Sequence, residues 1–170
     1  MKKWVVFLAL GLVALAFIGA IVIYTKDKIP EDFGIYYESL SCGVQIFNSV
    51  NSLYSKTICD NAKGTSSLLN YTLNLSLEDK EVIYNSVVEN DFFSLSDDVI
   101  SNGSGPVSRG CIPSSTLIIR VNSSGKFKKV RADCVSGGNS GIGAISQAIR
   151  EVISEKEQEM NIPRDDCICF

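Results

Sequence analysis

The sequence predicts an α+β domain: a small, mainly antiparallel sheet with two packed helices, braced by disulfides and preceded by an N-terminal transmembrane helix. Three observations predict it. An uncharged stretch, Trp4 to Tyr24, opens the chain of 170 residues. Short β-rich runs separated by Asn, Ser and Gly turns follow it, with two helix-period segments among them. Six cysteines bracket the turns and the C-terminal end.

Trp4 to Tyr24 is 21 residues without a charge, Asn, Gln or Pro. As a helix rising about 1.5 Å per residue it matches the ~30 Å hydrocarbon core, with Trp4 and Tyr24 at the interfaces. A cleaved signal peptide is the rival reading, with Lys2 and Lys3 as its basic start. Its apolar region would usually stop at about 7–15 residues, whereas here it runs past every small residue. An uncleaved signal anchor is therefore expected. Ala9, Ala16 and Ala20 share a helix face that could let two copies approach as a homodimer.

The expected divisions are a cytoplasmic tail 1–3, the anchor 4–24, a linker 25–32, an extracytoplasmic domain 33–159 and a Cys-containing tail 160–170. Phe33 to Leu40 reads as a strand. Val44–Phe47 and Leu53–Ile58 read as a hairpin about a turn near Val50 and Asn51. From Leu69 to Leu75 apolar and polar residues alternate, as in a half-buried strand. Ser76 then suits a helix N-cap, with Glu78 and Asp79 against the positive helix end and Leu77, Ile83, Val87 and Val88 facing inward. Ser94 to Pro113 has loop composition, including the adjacent acids Asp97 and Asp98. Ser115 to Val121 and Lys126 to Ala132 form a second hairpin, with Thr116–Ile119 covered on both faces. Phe127 and Val130 fall out of phase, which predicts a bulge. Gly137 to Gly143 is a flexible cap to a closing helix whose Ile145, Ile149, Val152 and Ile153 point inward. Its end, Glu155 to Glu159, is expected in solvent.

Cysteines in a small exported domain suggest disulfides, although six allow fifteen pairings. Cys42 with Cys59, and Cys111 with Cys134, are the expected bonds because each pair brackets its own hairpin. Cys167 and Cys169 are open to three readings: a structural bridge to each other or to the body, a redox or soft-metal pair, or a lipidated C-terminal signal. The Lys bias is slight; the cysteines and the glycosylation sequons set the N-terminus in the cytoplasm and the domain outside, at the cell membrane in a single pass. Asn70, Asn74, Asn102 and Asn122 match the glycosylation pattern. Asn102 and Asn122 lie in predicted turns, where sugar could attach.

The chain has no histidine. That excludes Ser-His-Asp and Cys-His catalysis and His-ligated zinc. No catalytic residue, metal or cofactor is assigned. Without Lys2 and Lys3 the 16 basic residues fall to 14 against 19 acidic ones, a charge of −5. No basic face for nucleic acid follows from that balance.

Leu75-Ser76-Leu77-Glu78 and Asp91-Phe92-Phe93-Ser94-Leu95 resemble the helix boundaries of small emfourin-like domains, the protealysin-inhibitor type. A hairpin (Leu117–Val121, Lys128–Val130) and a closing helix (Ile145–Ile153) follow in the same order. The resemblance spans residues 68–153 and implies a peptidase inhibitor, with no inhibitory residue carried over. The residues themselves imply a membrane-anchored extracytoplasmic binding protein without evident catalytic machinery. Its partners would be the lipid bilayer and another extracytoplasmic or membrane protein. A thiol–disulfide protein using Cys167 and Cys169 is the remaining alternative.

Overall fold

The structure, a computed structural model, describes residues 28–41, 43–60, 63–100, 116–133, 141–163 and 167. Seven strands form one sheet: β1 (Gly34–Leu40), β2 (Val44–Asn48), β3 (Leu53–Asp60), β4 (Thr65–Thr72), β5 (Asp98–Ile100), β6 (Thr116–Ser123) and β7 (Lys126–Asp133). Helix α1 (Leu77–Glu89) and a 3-10 turn (Phe92–Ser94) lie between β4 and β5, and helix α2 (Gly141–Glu159) follows β7. The spatial order is β4-β3-β2-β1-β6-β7-β5. Neighbours run antiparallel except β5, which pairs parallel with β7.

The expected fold class is overturned. The sheet is mixed and has seven strands, because the segment from Ser94 contributes β5 at its edge and the polar Thr65–Ser67 extends β4. The transmembrane helix has no counterpart among the described residues, where no helix is long and apolar enough to cross a membrane. The stretch Trp4 to Tyr24, with Ala9, Ala16 and Ala20, lies outside them.

The strand register shows how the sequence makes a two-sided sheet. Tyr37 pairs with Phe47 and Ile119, Phe47 with Tyr54, Ile35 with Val121, and Ile119 with Val130. All are buried, and side chains two apart share a face, so they form one apolar surface. Ile83 and Val87 of α1 and Ile142, Ile145, Ile149, Val152 and Ile153 of α2 belong to the same core, so both helices cover that face. β6 is buried at every second residue, rather than on both faces. The hairpin β6–β7 is paired without a bulge from Thr116–Asp133 to Ser123–Lys126. Phe127 is out of phase with Val130 because it belongs to the opposite face, where it is 69% exposed. Ser124 and Gly125 make the turn in the left-handed region, which suits a two-residue hairpin loop.

Ser76 caps α1 as expected, and the reciprocal partner is Asp79: its backbone N–H donates to Ser76 Oγ at 3.1 Å, and Ser76 N–H donates to Asp79 Oδ2 at 2.7 Å. Leu77 and Val88 are exposed rather than part of the inward stripe. The end of α2 also departs from expectation. The inward row Ile149, Ile153 continues one turn later into Glu157, and Val152 continues into Lys156. Glu157 binds Lys56 Nζ of β3 at 2.8 Å and accepts the Tyr54 hydroxyl hydrogen bond. Lys156 Nζ lies 3.2 Å from Asp79 Oδ2. Two neighbouring residues thereby tie α2 to the sheet and to α1.

Burial opposes ionisation of Asp79, but the Ser76 hydroxyl, the Ser76 N–H and Lys156 together outweigh it and hold its carboxyl below the usual carboxylate value. A lowered folded-state value stabilises the fold above the unfolded value, about 3.9, and that contribution disappears as pH falls through the folded value. Acid titration of stability should therefore show a loss below about pH 4, and Asp79→Asn should flatten that limb; an unchanged limb would remove Asp79 from the account. Lys56 is 2% exposed. Truncating one member of such a buried pair costs about 3–5 kcal/mol. Lys56→Met should lose that much in urea unfolding, and adding Glu157→Gln, which still accepts from Tyr54, should recover part of it.

Candidate functional site

The face of the sheet opposite the helices has no described element over it. The register sets its composition: Asn48, Tyr36, Arg120 and Lys129 form one cross-strand row. Ser55, Ile46, Glu38, Ile118 and Arg131 form the next. The central members are half-buried by their neighbours, while Lys129 and Arg131 are exposed. It is a mixed surface, with a cation and an aromatic ring at its centre.

Arg120 lies with its guanidinium carbon 4.4 Å from the centroid of the Tyr36 ring, a cation–π distance. The Tyr36 hydroxyl donates to Glu38 Oε2 at 2.8 Å. Burial, then the hydrogen bond to Glu38 and its charge, push the Tyr36 phenol up, and Arg120 opposes them. The phenol is thus kept neutral as a donor. Arg120 Nε is buried and has no acceptor among the described residues.

Tyr36 and Arg120 line a depression of about 290 Å³ with Asn48, Val50, Asn122 and Phe127. Two hairpin turns rim it at the start of β1. The β2–β3 turn approaches so closely that a Cβ on Gly34 would stand 2.8 Å from Val50 Cγ2, so a side chain there would displace Val50 from this rim. The β6–β7 turn is held by Asp32, whose carboxylate accepts from Ser124 N–H at 2.8 Å and Gly125 N–H at 2.6 Å. Those two bonds hold the Asp32 carboxyl below its ordinary value. Val50 is 80% exposed at this rim. The arrangement can hold an acidic group beside an apolar one; it places no nucleophile against a base.

The cysteines depart from expectation. Cys59 bonds to Cys167, with Cα atoms 5.1 Å apart and the two residues 108 positions apart in sequence. The expected Cys42–Cys59 bond is thereby excluded, although the hairpin has the anticipated centre: Gln45 pairs with Lys56 and Asn48 with Leu53. The register was legible, but the partner comes from the C-terminal segment. Ile162 is buried in the core, and the Pro163 carbonyl accepts from Lys56 Nζ at 3.4 Å. Cys167 Sγ comes beside Gly43, 3.6 Å from where a Cβ on that glycine would stand. With its sulfur in this bond, Cys167 serves as a bridge to the body rather than as half of a free Cys-x-Cys pair. Cys42, Cys111, Cys134 and Cys169 lie outside the described residues, as does Asn102. Asn122 is exposed, on β6 rather than in the turn. Asp97 forms an ion pair with Lys128, and Asp98 stands opposite Arg131, so the adjacent acids are matched by β7 cations.

Sequence reasoning missed Tyr36 and Arg120. Their signal is positional: they stand opposite each other only once β1 and β6 are paired. No protein-family model matches the chain, and no curated protein matches it in sequence. Of the residues that carry the emfourin-like resemblance, Ser76 caps α1 and Phe92 is fully buried. Both therefore have structural work of their own.

In the chain-entropy account a loop of about 100 residues contributes roughly 4–5 kcal/mol when closed by a disulfide. Cys167→Ser should lower the unfolding free energy by about that much, and a non-reducing peptide map should recover the Cys59–Cys167 pair. Recovery of Cys59 joined to Cys42 would overturn the assignment.

Proposed function

We propose that this chain is an exported, non-enzymatic binding module that engages another protein across the open face of its sheet. The observation that carries the reading is the Tyr36–Arg120 pair in its depression. An arginine whose buried Nε–H has no acceptor among the described residues, a tyrosine and an exposed phenylalanine form the kind of group that dominates protein interfaces. The chemistry suits a partner that presents a carboxylate to Arg120 and an apolar side chain to Phe127 and Val50. The Cys59–Cys167 bond supports an extracytoplasmic setting, since disulfides persist in oxidising compartments. Placement at the cell membrane, with the N-terminus cytoplasmic, rests on the composition of Trp4 to Tyr24 alone.

The test is co-purification of the full chain from intact cells after reversible crosslinking. A partner recovered with the wild-type chain should be lost, or reduced at least tenfold, with Arg120→Ala and Phe127→Ala together. Circular dichroism of the double variant should match the wild type, because both side chains lie on the face away from the core. Equal recovery by both chains would defeat the proposal, as would inhibition of thermolysin-like peptidases that the double variant retains.

A further inference from the structure

The two edges of the sheet are unlike. At one edge β5 is three residues long. It sits beside the Asp97–Lys128 ion pair, and Asp98 stands opposite Arg131. Short, charged edges resist pairing with another chain. At the other edge β4 runs for eight residues, Thr-Ser-Ser-Leu-Leu-Asn-Tyr-Thr, without a charge or a proline. All of them are exposed except Tyr71, which is half-buried. Leu68 is 54% and Leu69 39% exposed. This edge has none of those protections.

The hydrogen-bond phase of β4 follows from one contact. Leu73 N–H donates to Ser52 C=O at 2.8 Å, in line with the Leu53–Thr72 register. Hydrogen-bonded and non-hydrogen-bonded pairs alternate in an antiparallel ladder. Thr65, Ser67, Leu69 and Tyr71 therefore bond to β3, while Ser66, Leu68, Asn70 and Thr72 direct their N–H and C=O groups outward. Exposed to water, such a row is a ready-made template for pairing with another extended strand.

We infer that the occupant is β4 of a second copy, paired antiparallel about a two-fold axis at Leu69. That register sets Ser66 against Thr72 of the other copy and Leu68 against its Asn70, and uses every outward group on both strands. A shift by two residues leaves at least one outward residue unpaired in each copy. A shift by one turns the outward groups out of phase and sends the helices of the two copies to opposite faces. In the inferred register the two Leu69 side chains meet at a non-hydrogen-bonded position, where Cα atoms stand about 4.5 Å apart, and cover each other's exposed surface. The uncharged strand brings no like charges together. Two sheets then become one continuous sheet with all helices on the same side, and the Tyr36–Arg120 face of each copy stays open on the other.

The experiment uses the full chain in mild detergent. Sedimentation over a concentration series should show a reversible monomer–dimer equilibrium. Leu69→Cys should oxidise to a covalent dimer in which the two introduced thiols are joined to each other, because the spacing lies within the disulfide range; a non-reducing peptide map identifies that bridge. Leu68→Pro removes an outward N–H without breaking a bond to β3, and should weaken the dimer at least tenfold while the circular dichroism is retained. If Leu68→Pro does not fold, Leu68→Lys, which sets two like charges diagonally across the axis, should weaken it in the same direction. A wild-type chain that stays monomeric overturns the inference, whether or not another protein's strand binds the edge. A dimer indifferent to both Leu68 variants overturns it too, by placing the contact elsewhere in the chain.

Discussion

Two adjacent residues near the end of α2 decide how the layers of this protein fit together. Lys156 reaches across to Asp79, which already closes the cap of α1, and Glu157 reaches down to Lys56 and Tyr54 of β3. Apolar packing is non-directional: it puts the helices on the sheet but does not choose their rotation or depth. A buried ammonium is costly without a partner, so only one placement of α2 is tolerable. Lys56 sets that placement from the sheet, and Asp79 sets it from the neighbouring helix. The Glu159 carboxylate, and then Asp79, push the Lys156 ammonium up, so the positive side of this junction stays charged.

The helices settled on one face leave the other with no described element over it, and the molecule is asymmetric for that reason. The depression at the start of β1 depends on two backbone details rather than on a rigid wall. Glycine at position 34 lets Val50 close in from one side, and Asp32 pins the β6–β7 turn on the other. The exposed anchors, Val50 and Phe127, thus ride on hairpin tips, while the polar centre, Tyr36 and Arg120, sits on the interior strands. Geometry at the centre is set by the sheet ladder, and the rim has the freedom of turns.

Much of the fold was legible where local chemistry decided it. β-rich runs set between turn residues located β1, β2, β3 and the second hairpin; Ser76 marked the start of α1; and Ile145, Ile149, Val152 and Ile153 marked the inner side of α2. Legibility ended where distant segments decide. The run of charges closing α2 read as solvated, and nothing local marked the lysine in β3; only together do Lys56 and Glu157 become a buried pair. The three residues of β5 were too few to show a period. Phe127 looked like a fault in the β7 pattern because it was read against the wrong face. For the cysteines, symmetry about a turn found the register of β2 and β3 but not the partner of Cys59. That partner depends on Ile162 turning the chain back into the core. The candidate site was invisible for a related reason: Tyr36 and Arg120 are 84 positions apart in the chain, and each alone is an ordinary strand residue.

The Cys59–Cys167 bond has a consequence for how the protein is made. Its two sulfurs belong to an early hairpin and to a segment 108 residues later. During synthesis Cys59 therefore waits, reduced or bonded to something else, until nearly the whole sheet and both helices have been made. In the folded domain the buried Ile162 and the Pro163 carbonyl, which accepts from Lys56, hold the chain close to the place where Cys167 meets Cys59. While it waits, the Cys59 thiol is open to bonding with the wrong partner, an error that an isomerase would have to undo.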